Sequence, residues 1–200
     1  MVRYDDISRS LRRRAPALHR LALGPWRLVR DLVPVTAGYW ERRQELRYYA
    51  EVVRLARAWA PAGGRVLDVG AGPTRVLSRL DWFAERVALD RRWIPRQPGA
   101  QRVQADFLTF RVPRPFDLVL CLQVLEHLED PSPFARKLLA AGRTVIVSVP
   151  YRWPAGTSPG HVQDPVDEAK LAGWMGRAPR EQHVVEDERA RLIAVYASAG

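Results

Sequence analysis

The stretch that most constrains this chain is Arg65-Val66-Leu67-Asp68-Val69-Gly70-Ala71-Gly72-Pro73-Thr74. A short apolar run that carries one acid and breaks at Gly-x-Gly reads as a buried parallel strand. Its glycines let the backbone turn sharply and approach a ligand closely. Pro73 suits the first turn of a helix, and Val76, Leu77 and Leu80 supply an apolar face at helical spacing. The expected local order is therefore strand, tight turn and helix, with the N–H groups at the helix start offering a seat to a negative group. Dinucleotides, flavins and sulfonium cofactors all use such a turn, so the turn alone does not choose among them.

Its company at set distances narrows the choice. Residues 86–90 (RVALD) read as a second strand whose terminal acid, Asp90, lies twenty residues after Gly70. A carboxylate there can accept bonds from both hydroxyls of a ribose. Residues 101–106 repeat the pattern and end at Asp106, and residues 116–123 form a fourth strand leading into Val124-Leu125-Glu126-His127-Leu128-Glu129-Asp130-Pro131. A fifth strand spans 143–150, and residues 180–186 and 190–197 read as a closing antiparallel pair. Helices are expected over 38–60, ended by Pro61-Ala62-Gly63-Gly64, from Asp130 to Gly142, and from Asp164 to Gly176. Residues 91–100 and 107–115 are too short and too broken by proline to hold a full helix, leaving one sheet face thinly covered unless N-terminal helices or a partner subunit, as in a homodimer, cover it. The expected fold is α/β: a doubly wound, mostly parallel, seven-stranded Rossmann-like sheet with an N-terminal helical extension. Residues 1–64 form that extension and residues 65–200 the core.

At 200 residues, with 47% apolar and 27% charged side chains, the chain can bury a sizeable core as one domain and is not of disordered composition. The single cysteine excludes an intramolecular disulfide and a cysteine metal cluster, which fits a reducing compartment. Asp5 and Asp6 precede no long apolar run, and no stretch reaches membrane-spanning length, so a cytoplasmic location is expected. The net charge of +10 is uneven: 13 arginines and 6 acids fall in residues 1–64, a net of +7. Such a bias suits an acidic substrate or an anionic surface near the extension. With 30 arginines against 2 lysines, it also reads as a compositional preference across the whole chain.

The segments LDVGAGPT (67–74), ALD (88–90), QAD (104–106), FDLVLCLQVLEHLEDP (116–131) and GRTVIVSVP (142–150) together resemble the class I S-adenosylmethionine-dependent methyltransferases, in their ubiquinone-biosynthesis-like (type 11) branch. The resemblance covers residues 65–150 in unbroken order. It implies S-adenosyl-L-methionine as cofactor, with Asp68, Gly70, Ala71 and Gly72 around the methionyl amine and carboxylate. It likewise implies Asp90, with Arg91 beside it, at the ribose, Asp106 and Phe107 at the adenine, and Leu122 and Gln123 bordering the sulfonium. Asp68 and Asp106 can also be read as residues that bond local backbone, and Asp117, at the far end of the fourth strand, reads as structural.

Methyl transfer from a sulfonium is an in-line displacement with a good leaving group, so alignment and exclusion of water supply much of the catalysis. His127 and His161 are the candidate catalytic bases; His127 reads equally well as a histidine that bonds loop backbone. His161 lies in a long loop (150–163) with Tyr151, Arg152 and Trp153, leaving the ligand end of the fifth strand. His19 and His183 read as surface residues. Cys121 sits within a strand, which argues for a core thiol and against a covalent pyrimidine mechanism. No cluster of acids follows the fourth strand, so the sequence points to no metal. Glu126-His127-Leu128 and the closing strand pair disfavour a nicotinamide oxidoreductase. The expected acceptor is a small or lipid-linked molecule methylated on oxygen or nitrogen. A structured RNA and a non-catalytic scaffolding role stand as alternatives, though residues 1–64 carry no recognisable RNA-binding module. Residues 1–36, with eight arginines among Leu18, Leu21, Leu23, Trp26, Leu28 and Val29, read as a lid over the acceptor pocket or as a segment lying on an anionic membrane surface.

Overall fold

Apolar side chains run almost without interruption through three segments, β1 (Gly64–Val69), β4 (Phe116–Leu122) and β5 (Gly142–Pro150), whose central residues are fully buried. Runs buried on both faces belong in the middle of a parallel sheet covered on each side, and that is where they lie. The computed structural model describes residues 45–197. The remaining strands are β2 (Phe83–Asp90), β3 (Gln101–Gln104), β6 (Glu181–Glu186) and β7 (Ala190–Ala197), and the sheet order is β3-β2-β1-β4-β5-β7-β6. All pairs are parallel except those of β7, which runs antiparallel to both β5 and β6. The expected seven-stranded, mostly parallel, Rossmann-like sheet is thus the observed one, with its strands where the sequence puts them. The extension over residues 1–36, and residues 38–44 of the first expected helix, lie outside the described residues.

Two apolar layers flank the sheet. Helix α1 (Arg47–Trp59) buries Tyr48, Val52, Leu55 and Ala56 on one face, beside Val76, Leu77, Leu80 and Ile94. Helices α2 (Ser132–Ala141) and α3 (Glu168–Met175) bury Phe134, Leu138, Leu171 and Met175 on the other. The cap of α1 comes from a remote residue: Asp187, in the β6–β7 turn, accepts the N–H groups of Arg47 (2.9 Å) and Tyr48 (3.0 Å). A carboxylate there satisfies two otherwise unpaired donors and complements the helix dipole. Asp117 is structural as expected, accepting the Arg65 N–H at 2.8 Å to tie β1 to β4 at the end away from the site. Residues 91–100 and 107–115 form no helix. Their side chains cover the sheet instead, Ile94 on one face and Phe107, Phe110 and Val112 on the other. Lys137 pins the second loop by donating to the carbonyls of Leu108 and Phe110, both at 2.7 Å.

Two expectations fail. The helix expected from Asp164 starts at Glu168, where Asp167 caps it by accepting Lys170 N–H at 2.9 Å. The helix after the glycine turn is absent: Pro73 lies in a turn, and only a single 3-10 turn, Val76–Arg79, follows. Residues 70–82 are all the chain spends between β1 and β2. Val76, Leu77 and Leu80 still deliver their side chains to the core, so burial is achieved without helical backbone. The N–H groups of Gly70 and Ala71 are taken by the Leu89 carbonyl at 2.8 and 3.1 Å, and that of Gly72 by Asp90. No helix-start seat for an anion exists here. Among the described residues no helix is long and apolar enough to cross a membrane.

Candidate active site

The strand order reverses between β1 and β4, and ligands of open α/β sheets sit outside the carboxyl ends of the strands at such a point. Asp68, the glycine turn, Asp90, Leu122 and Gln123 all fall at those ends. Gly70 and Gly72 have φ of 71° and 53°, in the left-handed region that favours glycine. A Cβ on Gly70 would lie 2.6 Å from Cγ2 of Val124, so the turn and the segment leaving β4 press directly together. At Gly72 the nearest atom to such a Cβ is the Gly70 carbonyl oxygen at 4.0 Å, which leaves a cradle open beside the turn.

Asp68 is the most unusual group in this half of the site. It is 1% exposed, and its Oδ2 is fully shielded without a hydrogen-bond partner. Burial pushes its carboxyl up to about 7, with the neighbouring Asp90 charge adding to the shift. Asp90 uses both oxygens to shape the turn, Oδ2 accepting Gly72 N–H (3.0 Å) and Oδ1 accepting Arg92 N–H (2.9 Å). Each oxygen keeps a lone pair for a further donor. Arg91 is exposed beside it. Asp106 is exposed and its Oδ1 accepts Leu108 N–H at 2.8 Å, while Phe107 is buried with its ring centroid 4.9 Å from that of Phe134.

Gln123 closes the floor between β4 and β5. Its φ of 59° is rare for a side-chain-bearing residue, and Ser148 holds it through backbone N–H to carbonyl (2.9 Å) and Nε2 to Oγ (3.3 Å). Ser148 Oγ is shared with the hydroxyl of the fully buried Tyr48, 2.8 Å away. Tyr48 thus reaches from α1 to the ligand end of the sheet. Sequence reading passed over both residues; the usable signal was a lone serine inside the buried run Val-Ile-Val-Ser-Val.

On the far side of β4, a 3-10 turn (Leu125–His127) brings Glu126 and His127 against the loop that follows β5. Glu126 is fully buried, and its carbonyl accepts Val162 N–H at 2.9 Å. Gln163 Nε2 donates to the carbonyls of Leu128 (2.9 Å) and Glu129 (3.0 Å). The two candidate histidines, 34 positions apart in sequence, meet edge-to-face with ring centroids 4.7 Å apart. His127 Nδ1 lies 2.8 Å from the Gly160 carbonyl oxygen, and His161 Nδ1 lies 2.7 Å from Oδ2 of Asp164, whose side chain is shielded from solvent. Trp153 stacks on His161 at 5.7 Å and 12° and is fixed by its own Nε1 donating to the Ala190 carbonyl (2.7 Å). Burial draws His161 below the ordinary histidine value, with Asp164 acting in the opposite sense. Neither carboxylate was read as a site group in the sequence, where Glu126 is only part of the segment leaving the fourth strand and Asp164 opens a helix.

The other expected groups separate cleanly from the site. Cys121 is buried in β4, where burial raises its thiol, as suits a core residue. His183 lies on β6 with Glu181 Oε1 at 2.6 Å, among charged surface residues.

Comparison with known proteins agrees with this geometry. The model of the family described as Methyltransferase domain (Methyltransf_23) matches residues 39–193. The chain is 30% identical to a ubiquinone biosynthesis O-methyltransferase of Xanthomonas euvesicatoria pv. vesicatoria, over 78% of this chain and 72% of that one. In fold it is similar to the Burkholderia thailandensis 1,6-didemethyltoxoflavin-N1-methyltransferase, solved with its acceptor and S-adenosylhomocysteine, with a TM-score of 0.68 at 15% identity over 90% of this chain and 89% of that one. It is also similar to the N-methyltransferase NodS of Bradyrhizobium japonicum with S-adenosylhomocysteine, with a TM-score of 0.62 at 15% identity over 77% of this chain and 87% of that one.

Proposed function

The chain belongs to the methyltransferase-domain family, as a class I S-adenosylmethionine-dependent enzyme, and from that premise we propose that it methylates an oxygen or nitrogen of a small or lipid-linked acceptor by in-line displacement. Oxygen is the favoured atom, after the 30% identical O-methyltransferase. The observation that carries the reading is the buried, unpartnered carboxylate oxygen of Asp68 beside the open cradle at Gly72, at the point where the strand order reverses.

These residues fit the cofactor. A shielded carboxylate without a donor is costly until a cation pairs with it, and the methionyl ammonium is such a cation. Gly70, Ala71 and Gly72 let the methionyl end approach the backbone. Asp90 has the lone pairs to accept both ribose hydroxyls, and Asp106, next to the buried Phe107, can take the adenine amine through its second oxygen. Arg91 stands at the rim beside Asp90. S-adenosylmethionine supplies an electrophilic methyl on a positively charged sulfur, with a neutral thioether as leaving group. Leu122 and Gln123 border that centre, and the two bonds that Gln123 donates to Ser148 keep it in place. His127 and His161 act on the acceptor, each with Nδ1 committed to a carbonyl or carboxylate and Nε2 carrying the lone pair that can take or polarise an acceptor proton.

The sequence reading of residues 1–36 as a lid lies outside the described residues and is tested by deletion. Deleting them should lower acceptor turnover far more than cofactor binding, with no lipid present. Normal turnover combined with lost sedimentation on anionic vesicles would make the segment a membrane-surface anchor instead. The reading as a whole is tested by calorimetry: S-adenosylhomocysteine binds the intact chain, and Asp90→Ala weakens it by about 1.5–3 kcal/mol, the scale of lost hydrogen bonds to a charged group. No heat at millimolar ligand would end it.

A further inference from the structure

Glu126, His127 and His161 each offer one ligand atom, and these atoms all lie within 4.8 Å of one another. We propose that this trio is a binding site for a divalent transition cation of the zinc class, built where the 3-10 turn after β4 meets the loop after β5. The sequence hides it, because two of its donors come from residues 126–127 and the third from residue 161.

The strongest support is the tautomer that the surroundings impose. The Gly160 carbonyl can only accept, so the 2.8 Å contact requires His127 to carry its proton on Nδ1. The Asp164 carboxylate at 2.7 Å places the His161 proton on Nδ1 in the same way. Both rings therefore present an Nε2 lone pair. Metal-ligating histidines almost always donate their other N–H to a carbonyl or a carboxylate, and both arrangements occur here side by side. The two halves of the site are also held to one another, by Val162 N–H on the Glu126 carbonyl and by Gln163 on those of Leu128 and Glu129. Trp153, stacked on His161, fixes the plane of that ring.

Charge and geometry are compatible with a cation. Glu126 and Asp164 bring two carboxylates, against Arg189, whose guanidinium is engaged with Ser158 Oγ (3.2 Å) and the Trp153 ring (4.5 Å). Zinc bound at about 2.0–2.1 Å in a tetrahedron sets its ligands about 3.4 Å apart, so atoms within 4.8 Å of one another need to close by about 1.4 Å at most on loading. His127 is the exposed member of the trio. Two imidazoles and one carboxylate suit zinc or cobalt better than magnesium, which prefers oxygen ligands. Three protein ligands leave a coordination position open, the pattern of catalytic rather than structural zinc sites. That this position takes an acceptor oxygen, which the cation in place of a histidine Nε2 would then acidify, rests on the methyltransferase reading and replaces the direct role given there to the two histidines; that the cation binds does not.

The test uses the full tag-free chain, stripped with chelator and titrated with zinc alone, with cobalt absorption as a second readout. One zinc per chain should bind at micromolar affinity or tighter, magnesium should give no comparable heat, and cobalt should show visible bands of tetrahedral character. His161→Ala should weaken zinc at least 100-fold and Asp164→Asn by 10–100-fold, the usual cost of losing an outer-shell partner. His183→Ala should change nothing. Glu126→Gln gives a third variant should either of the others fail to fold, and S-adenosylhomocysteine binding reports that each variant retains its fold. No saturable zinc binding by a chain that binds S-adenosylhomocysteine overturns the proposal and leaves the methyltransferase reading standing, as does zinc affinity unchanged in His161→Ala. Zinc bound through this trio by a chain indifferent to S-adenosylhomocysteine would have the opposite meaning.

Discussion

The two sides of the site are built in different ways. On the β1–β2 side, the groups are a strand-end acid, a two-glycine turn and a second strand-end acid, tied together by backbone bonds such as Gly70 and Ala71 N–H to the Leu89 carbonyl. On the β4–β5 side, the groups come from a 3-10 turn and a distant loop, and side chains set their geometry: Asp164 orients His161, Trp153 stacks on it, and Gln163 ties one loop to the other. Backbone-built geometry tolerates little variation in residue type at the glycines. Side-chain-built geometry can be altered one contact at a time, which suits the part of an enzyme that recognises a particular acceptor.

The largest effect should separate the two sides completely. His161→Ala is expected to lower methyl transfer by about 10²–10⁴, the range for a group acting directly on the proton of a reacting atom. S-adenosylhomocysteine affinity should stay within about twofold. Equal loss of both, in calorimetry and a turnover assay run on one preparation, would mean that the β4–β5 loop only supports the fold.

Gly70→Ala should do the reverse at the next level. The new methyl would meet Val124 Cγ2 at 2.6 Å, and φ of 71° is strained for alanine in any case. Because Val124 leads into Glu126 and His127, the clash crosses from one side to the other. Cofactor affinity should fall by about 100-fold, and the thermal midpoint should drop by an amount matching the roughly 1–3 kcal/mol cost of overpacking. Gly72→Ala, with open space at 4.0 Å, should lose only the conformational part. If the two alanine variants behave alike, the contact with Val124 is not what makes Gly70 necessary.

The same division explains what the sequence disclosed. The strand positions and the acids at 68, 90 and 106 beside their ends were legible, because buried parallel strands are continuous apolar runs and the turn chemistry is local. The failed helix after Gly72 shows the limit: Val76, Leu77 and Leu80 have helical spacing, yet a 3-10 turn buries the same side chains within the length available. Glu126 and Asp164 were not legible as site residues, since their partners lie tens of positions away or depend on a loop path that no local pattern specifies. Tyr48 was read only as part of a helix before the core, and its hydroxyl contact with Ser148 spans 100 positions.

The smallest effect, and the sharpest probe of the backbone-built side, is proton linkage at Asp68. Without cofactor, burial and the nearby Asp90 hold its carboxyl at about 7, against about 3.9 in an unfolded chain. A folded-state value above the unfolded one means that the folded protein binds the proton more tightly. This group's contribution to stability is therefore full below about pH 4 and is lost as pH rises through 7. An ammonium placed against Asp68 reverses the preference, so S-adenosylhomocysteine binding should take the carboxylate form and release a proton. Affinity should then rise by about tenfold from pH 6 to pH 8 and flatten above that range, and the binding heat at pH 6.5 should depend on the ionisation heat of the buffer. In Asp68→Asn both dependences should vanish, binding should be weak at every pH, and the cofactor-free variant should be more stable than the parent at pH 8. Asp90→Asn, which removes the neighbouring charge, should move the midpoint of the parent's profile to lower pH. A profile that stays flat between pH 6 and 8 in the parent would mean that Asp68 already carries its charge in the empty pocket, and that its shielded oxygen finds a donor there without the cofactor.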